Sequence, residues 1–331
     1  MYKNDLEKYW HIGNTFRNPE KCFQTKGFHF ASVRWIFTRI FKSPYKFGVD
    51  LPMNHVLSKE EALSLREAYK DVPSITWLGH ASFLIKIGDT QILIDPILFG
   101  TPATSFLRGL KRLPCPLQAK ELSETNVLLL SHDHADHVHH PSLKSILKKE
   151  NIQPIVPLGM SKTIKRYKFK KPVELDYFEA YQINNTVKIT AVPSVHYSDF
   201  SNSTLWSGFI ISFTDKDGET KNIYFSGDTG YGPFIQRDIA PYGPFDVAII
   251  GVGGFDLPYK SRAPVVHTNP EQAIDIAKEI QAQKIIGMHW GTIRMADEDP
   301  NTLFPRMVQK AKEIGYEGEI KMLRIGETIA I

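Results

Sequence analysis

Between about residues 74 and 95 the chain runs in short apolar stretches set off by turn residues. "SITWLG", "SFLIKIG" and "TQILIDP" are separated by Gly, Asp or polar positions, the pattern of a β-meander. "NVLLLS" is apolar without alternation, which predicts a strand buried on both faces. A helix-like "PSLKSILKKEN", the strand "PIVPL" and a basic helix "SKTIKRYKF" follow, and then the strands "TVKITAVP", "SGFIISF", "KNIYFSGD" and "DVAIIGVGG". The last third reads as a helix in "NPEQAIDIAKEIQAQ", with Asn269 as N-cap and Pro270 in the first turn. After it come the strand "KIIGMH", a helix from about Asn301 to Gly315, and closing strands. Two runs of strands, each followed by helices, predict an α/β fold in which two sheets pack face to face with helices outside, a four-layer αββα sandwich.

The opening segment has a different texture. In "VRWIFTRIFKSPYKF", Val33, Ile36, Phe37, Ile40 and Phe41 recur at helical spacing, with Arg34, Thr38, Arg39 and Lys42 largely between them, until Pro44 ends the pattern. This predicts a short basic amphipathic helix, which either packs on the main domain or rests on anionic lipid. Residues 1–70 therefore read as an extension packed on or near a main domain of residues 71–331.

Composition narrows the classes. The chain has 331 residues, 42% of them hydrophobic, enough for a sizeable core. A net charge of +4 tolerates phosphate-bearing surfaces but lacks the dense basic stripe of a nucleic-acid binder, so no nucleic-acid partner is expected. Cys22 and Cys115 form no spacing motif, which fits a reducing, cytoplasmic setting. "MYKNDLEKYWHIGN" lacks the apolar stretch of a signal peptide, and no window approaches the ~20 apolar residues of a membrane span, leaving peripheral membrane contact as the remaining option. The basic segments "LRGLKR" and "KTIKRYKFKK" are either solvated faces or a rim for lipid phosphates. "GVGGF" lacks a P-loop lysine and dinucleotide spacing, and reads as a close backbone approach near the site below.

Candidate chemistry concentrates in "SHDHADHVHH", residues 131 to 140, just after "NVLLL". In His132-x-His134-x-Asp136-His137, alternate residues at a strand end can aim at one point while Asp136 and His137 turn to a second. Burying these groups without a cation would leave costly unpaired polar atoms. Imidazole and carboxylate suit zinc, with iron and manganese as competitors. Further ligand types end other strands: His196 after "ITAVPSV", Asp228 in "YFSGDTG" and His289 in "IIGMHWG". His80 reads as a supporting or structural residue, His11, His29 and His55 as structural, and His139 and His140 as exposed.

The ordered set His132, His134, Asp136, His137, His196, Asp228 and His289 resembles the metallo-β-lactamase fold superfamily of metal-dependent hydrolases. "ITWLGHASFLI", "LIDPIL", "VPLGM", "FSGDTGY", "GPFDVAIIGVG", "HTNPEQA", "MHWGT" and "RLPCP" make residues 70 to 331 similar to its N-acyl-phosphatidylethanolamine-hydrolysing phospholipase D group. The resemblance implies two zinc ions, one held by His132, His134 and His196, the other by Asp136, His137 and His289, with Asp228 between them. It implies a phosphodiesterase in which the metal pair activates water, Asp136 and Asp228 serving that chemistry, and a homodimer that meets its phospholipid substrate at a membrane surface. The histidine that matches His267 contacts substrate or steadies the leaving group in the family; a helix-entry role is the structural alternative. Ala135 stands at a substrate-contact position where family members commonly carry tyrosine, which loosens the transfer of acyl-chain and headgroup preference. Two other functions fit the residues: a soluble lactonase or small phosphodiesterase, and a non-catalytic metal-binding module at the membrane.

Overall fold

The computed structural model describes residues 9–24, 51–99, 113–198, 202–256, 266–293 and 295–331. Strands β1 (His11–Ile12) and β2 (Thr15–Phe16) form a small hairpin. The first large sheet contains β3 (Ser74–Gly79), β4 (Ser82–Ile87), β5 (Thr90–Ile94), β6 (Val127–Leu129), β7 (Gln153–Pro157) and β8 (Val173–Leu175). The second contains β9 (Ala180–Gln182), β10 (Val187–Pro193), β11 (Ser207–Thr214), β12 (Thr220–Phe225), β13 (Val247–Gly251), β14 (Lys284–Met288) and β15 (Glu319–Lys321). The last strand, β16 (Thr328–Ala330), returns to the first sheet beside β3, so the orders are β16-β3-β4-β5-β6-β7-β8 and β15-β14-β13-β12-β11-β10-β9. Helices α1 (Lys59–Ala68), α2 (His140–Ser145), α3 (Ser161–Lys165), α4 (Pro270–Glu279) and α5 (Pro300–Ile314) complete the described elements of regular helix.

The layering follows from side-chain alternation. In β4, Phe83 and Ile85 enter the core shared with the second sheet, while Leu84 faces an outer cluster. Ile92 and Ile94 against Leu93, and Val127 and Leu129 against Leu128, repeat this along β5 and β6. Both faces of these strands are therefore apolar, which is why "NVLLL" shows no polar alternation. The outer cluster packs Ala62 of α1, Leu143 of α2 and Ile164 of α3 on the first sheet. Ala273, Ile274, Ile276 and Ala277 of α4, with Leu303 and Met307 of α5, cover the second. The expected αββα sandwich is the observed one.

Local chemistry sets the helix ends. Asn269 accepts a hydrogen bond from Gln272 N at 2.8 Å and Gln272 returns one to Asn269 N, a capping box that starts α4. Gly315, at φ 65°, ends α5 one residue from where the sequence places its end. The basic helix expected over "SKTIKRYKF" stops at Lys165, and the chain turns away through Lys168, at φ 66°, while Tyr167 is buried and Phe169 packs against the same outer cluster. The helix expected over "PSLKSILKKEN" ends at Ser145, followed by a short 3-10 turn, Lys149–Asn151, after Lys148 at φ 51°. The amphipathic helix expected near residues 33–42, His29 and the segment "LRGLKR" lie outside the described residues. Among the described residues no helix is long and apolar enough to cross a membrane, and both cysteines are free thiols.

Candidate metal centre

The parallel runs β5-β6-β7-β8 and β12-β13-β14-β15 bring the carboxyl ends of central strands to one edge of the sandwich. Loops at that edge carry ligand-type residues: His80 just after β3, Asp95 after β5, His132 to His137 after β6, His196 after β10, Asp228 after β12 and His289 after β14. His267 stands two residues before the N-cap of α4.

Asp228 sits at the middle. Its Oδ2 lies 3.1 Å from His289 Nε2, 3.2 Å from His137 Nε2, 3.8 Å from His267 Nδ1, 3.9 Å from His196 Nε2 and 4.0 Å from His132 Nε2. Around it stand two sets whose donor atoms all fall within 4.8 Å of one another: His132, His134 and His196 on one side, His80, Asp136, His137 and His289 on the other. Residues from 80 to 289 thus converge on one small volume.

The donor set fits divalent cations. His132 Nε2 and Asp228 Oδ1 are buried and have no hydrogen-bond partner in the protein, although buried polar atoms are normally satisfied. Outside, rings of the centre are held. His137 Nδ1 is 2.8 Å from Asp95 Oδ2 and His132 Nδ1 is 2.9 Å from Ser131 Oγ. Ser131 Oγ in turn donates to Asp95 at 2.5 Å. Fixing Nδ1 turns Nε2 inward and raises its basicity, the usual support behind a metal-binding imidazole.

A family model described as a β-lactamase superfamily domain matches residues 90–290. The chain belongs to this superfamily. It is 31% identical to an N-acyl-phosphatidylethanolamine-hydrolyzing phospholipase D of Caenorhabditis elegans, over 66% of this chain and 64% of that protein. It is 28% identical to an uncharacterized protein of Mycobacterium tuberculosis, over 67% of this chain and 60% of the relative. The chain thus spans less than two thirds of the length of these relatives. A possible metal-dependent hydrolase of Veillonella parvula superposes with a TM-score of 0.63 at 19% identity, covering 78% of this chain and 100% of that one, which shows the shared fold.

The ligand-type residues singled out in the sequence, His132, His134, Asp136, His137, His196, Asp228 and His289, all reach this strand-end edge, with His267 beside them. Ala135 is exposed in the turn between His134 and Asp136. His80 is fully buried, its Nε2 3.0 Å from Asp136 Oδ2, and so belongs to the second set as closely as His137 does. Asp95, not singled out in the sequence, obeys the same strand-end rule in "LIDP" and could have been found by it. His139, expected to be exposed, is half-buried because its Nδ1 lies 2.7 Å from Ser142 Oγ at the start of α2; His140 is exposed. "GVGGF" makes the expected close approach: a Cβ on Gly254, at φ 78°, would lie 2.9 Å from His289 Nδ1.

Electrostatics divides the histidines. Burial, then the charge of neighbouring histidines, holds His132 and His196 well below the ordinary imidazole value. Burial also pushes His267 down to about 4, against the pull of Asp228, and His80 down to about 3. For His289 burial acts downward too, yet Asp228 and Asp136 together carry it up to about 9, and His137 rises well above its ordinary value in the same way. Burial raises the Asp228 carboxyl, but His137 and His289 outweigh it and keep the group ionised. Without a cation, His137 and His289 supply the positive charge that the buried carboxylates require.

Proposed function

We propose that the protein is a binuclear zinc phosphodiesterase of phospholipase D type, hydrolysing N-acyl-phosphatidylethanolamine to N-acylethanolamine and phosphatidic acid. The observation that carries this reading is Asp228, placed between two ligand sets and within 4.0 Å of five imidazole nitrogens. A carboxylate so placed can bridge two cations, the arrangement that serves in-line displacement at a phosphodiester. The Caenorhabditis elegans relative, whose name states that activity, supports the substrate class.

His132, His134 and His196 would hold one cation, and Asp136, His137 and His289 the other, with Asp228 shared. When bound, the pair supplies Lewis-acid stabilisation of the phosphoryl oxygens and acidifies water toward neutral pH. The chain's own part is to fix geometry and handle the leaving group. His267, 3.8 Å from Asp228 and largely buried, is a neutral imidazole near pH 7, so it acts as a hydrogen-bond donor to the departing ethanolamine oxygen rather than as a standing cation. Ala135 is exposed beside the ligand-type residues, and its small side chain would offer a headgroup no polar contact. The substrate would be met at a membrane surface by peripheral contact, by a protein that acts as a homodimer.

The test is mass spectrometry of products from zinc-loaded protein, N-acyl-phosphatidylethanolamine in mixed micelles and oxygen-18 water. N-acylethanolamine together with label in phosphatidic acid establishes water attack at phosphorus and cleavage of the bond to the ethanolamine oxygen. No hydrolysis by fully metallated protein overturns the substrate assignment and points to soluble esters or lactones, while retained metal with no turnover on any of these points to a non-catalytic module.

A further inference from the structure

We infer that Asn18, in the segment that precedes the superfamily domain, is a positioning residue for His196 and through it for one cation set. The inference rests on His196 acting as a metal ligand. Asn18 is 1% exposed, and its amide uses its full capacity of two accepted and two donated hydrogen bonds. Oδ1 accepts from His196 N at 2.9 Å and from Trp206 Nε1 at 2.9 Å. Nδ2 donates to His196 O at 2.8 Å and to Phe23 O at 2.8 Å.

Both backbone groups of His196 are therefore clamped by one side chain, 178 residues away in sequence. Trp206 lies at the other end of the connection between β10 and β11, and its Nε1 also reaches Ser194 O at 3.1 Å. Asn18 thus pins the start and the finish of the loop that carries the ligand. The imidazole is supported from behind, with Nδ1 3.3 Å from Val266 O, and the clamp fixes the backbone from which that ring projects.

Asn18 is itself anchored. Trp10 Nε1 donates to buried Asp176 at 2.7 Å, Phe16 N donates to Asn202 O at 2.8 Å and Arg17 N to Trp10 O at 2.9 Å, tying the β1-β2 hairpin to the connection between β8 and β9 and to the same loop. The clamp uses both the acceptor and the donors of the amide. Aspartate keeps both acceptor bonds but loses both donors, and alanine loses all four.

The experiment measures Zn2+ and Co2+ binding by the full chain and its Asn18→Ala, Asn18→Asp and His196→Ala variants, with the visible absorption of the Co2+ forms. Folding of each metal-free variant is checked by circular dichroism. Asn18→Ala is expected to weaken the cation set containing His196 by about 10- to 100-fold, the usual effect of removing a group that orients a ligand. Its Co2+ band should change while binding at the Asp136–His137–His289 set is retained, and Asn18→Asp should show a smaller loss of the same kind. A general loss of stability would weaken both sets alike. Wild-type affinity and spectrum in Asn18→Asp and in folded Asn18→Ala, with metal lost from His196→Ala, overturns the inference; should Asn18→Ala not fold, Asn18→Asp decides alone. Metal retained in His196→Ala overturns the ligand reading beneath it.

Discussion

Three residues of the centre stand on left-handed backbone: His80 at φ 54°, Asp95 at φ 38° and His289 at φ 63°. Non-glycine residues adopt this region at a cost and cluster where geometry must be over-determined. His289 is held there by its N–H to His80 O at 3.1 Å and by the side-chain-free approach of Gly254. Gly254→Ala should therefore displace the His289 ring and lower metal content, measurable by elemental analysis. Asp95→Ala removes the carboxylate behind His137 and is expected to weaken cation binding by about 10- to 100-fold in a chelator competition. His267→Ala should keep its metal while turnover falls by about 10²-fold or more, the scale of a lost proton-handling group; metal loss in that variant would make His267 a ligand. At this scale the sequence is legible where donors are local: four of the ligand-type residues lie within "HDHADH". Asn18 is illegible because nothing near it in sequence announces a partner 178 residues away. Asp95 lies between, visible only once each strand end is treated as a candidate ligand position.

Elements with a strong period could be read directly. The β4, β5 and β6 runs bury side chains on both faces, and α4 and α5 present apolar faces bounded by good caps. The short edge strands β8 and β9 escaped because they carry little apolar signal: β9 alternates exposed and half-buried positions, and pairing rather than composition makes it a strand. The β1-β2 hairpin is two residues a side and is held by Trp10 and by backbone bonds to distant loops. The cap of α4 joins element to site, since His267 is two residues upstream of Asn269. Asn269→Ala should cost about 1 kcal/mol in urea unfolding, the usual price of an N-cap. If the cap also sets the entry angle of the chain, the same variant should lower turnover with metal content unchanged.

Across the whole molecule, the metal centre couples stability to pH in two opposite senses. His80 and His267 have depressed values, so they contribute stability above the ordinary histidine value of 6.5 that is lost as pH falls toward about 3 for His80 and about 4 for His267. His289 is raised to about 9, so its contribution is complete below 6.5 and is lost as pH climbs through 9, with His137 acting in the same direction. Thermal melts of chelator-treated protein should therefore peak near pH 6 to 7, the region of the unperturbed imidazole. Cation affinity should rise with pH up to about 9, because binding must first expel the His289 proton, and calorimetry in buffers of different ionisation heat should register that release. The sandwich itself was readable from the two runs of strands, but the return of β16 to the side of β3 was not, since a three-residue strand carries no address for a partner some 250 positions back. That return has a consequence for synthesis. The sheet bearing His80 closes only when residues 328–330 are available, and the ligand set is complete only after His289. A growing chain on the ribosome would thus carry its early histidines, exposed and cation-hungry, through most of translation before the cage that selects among metals exists.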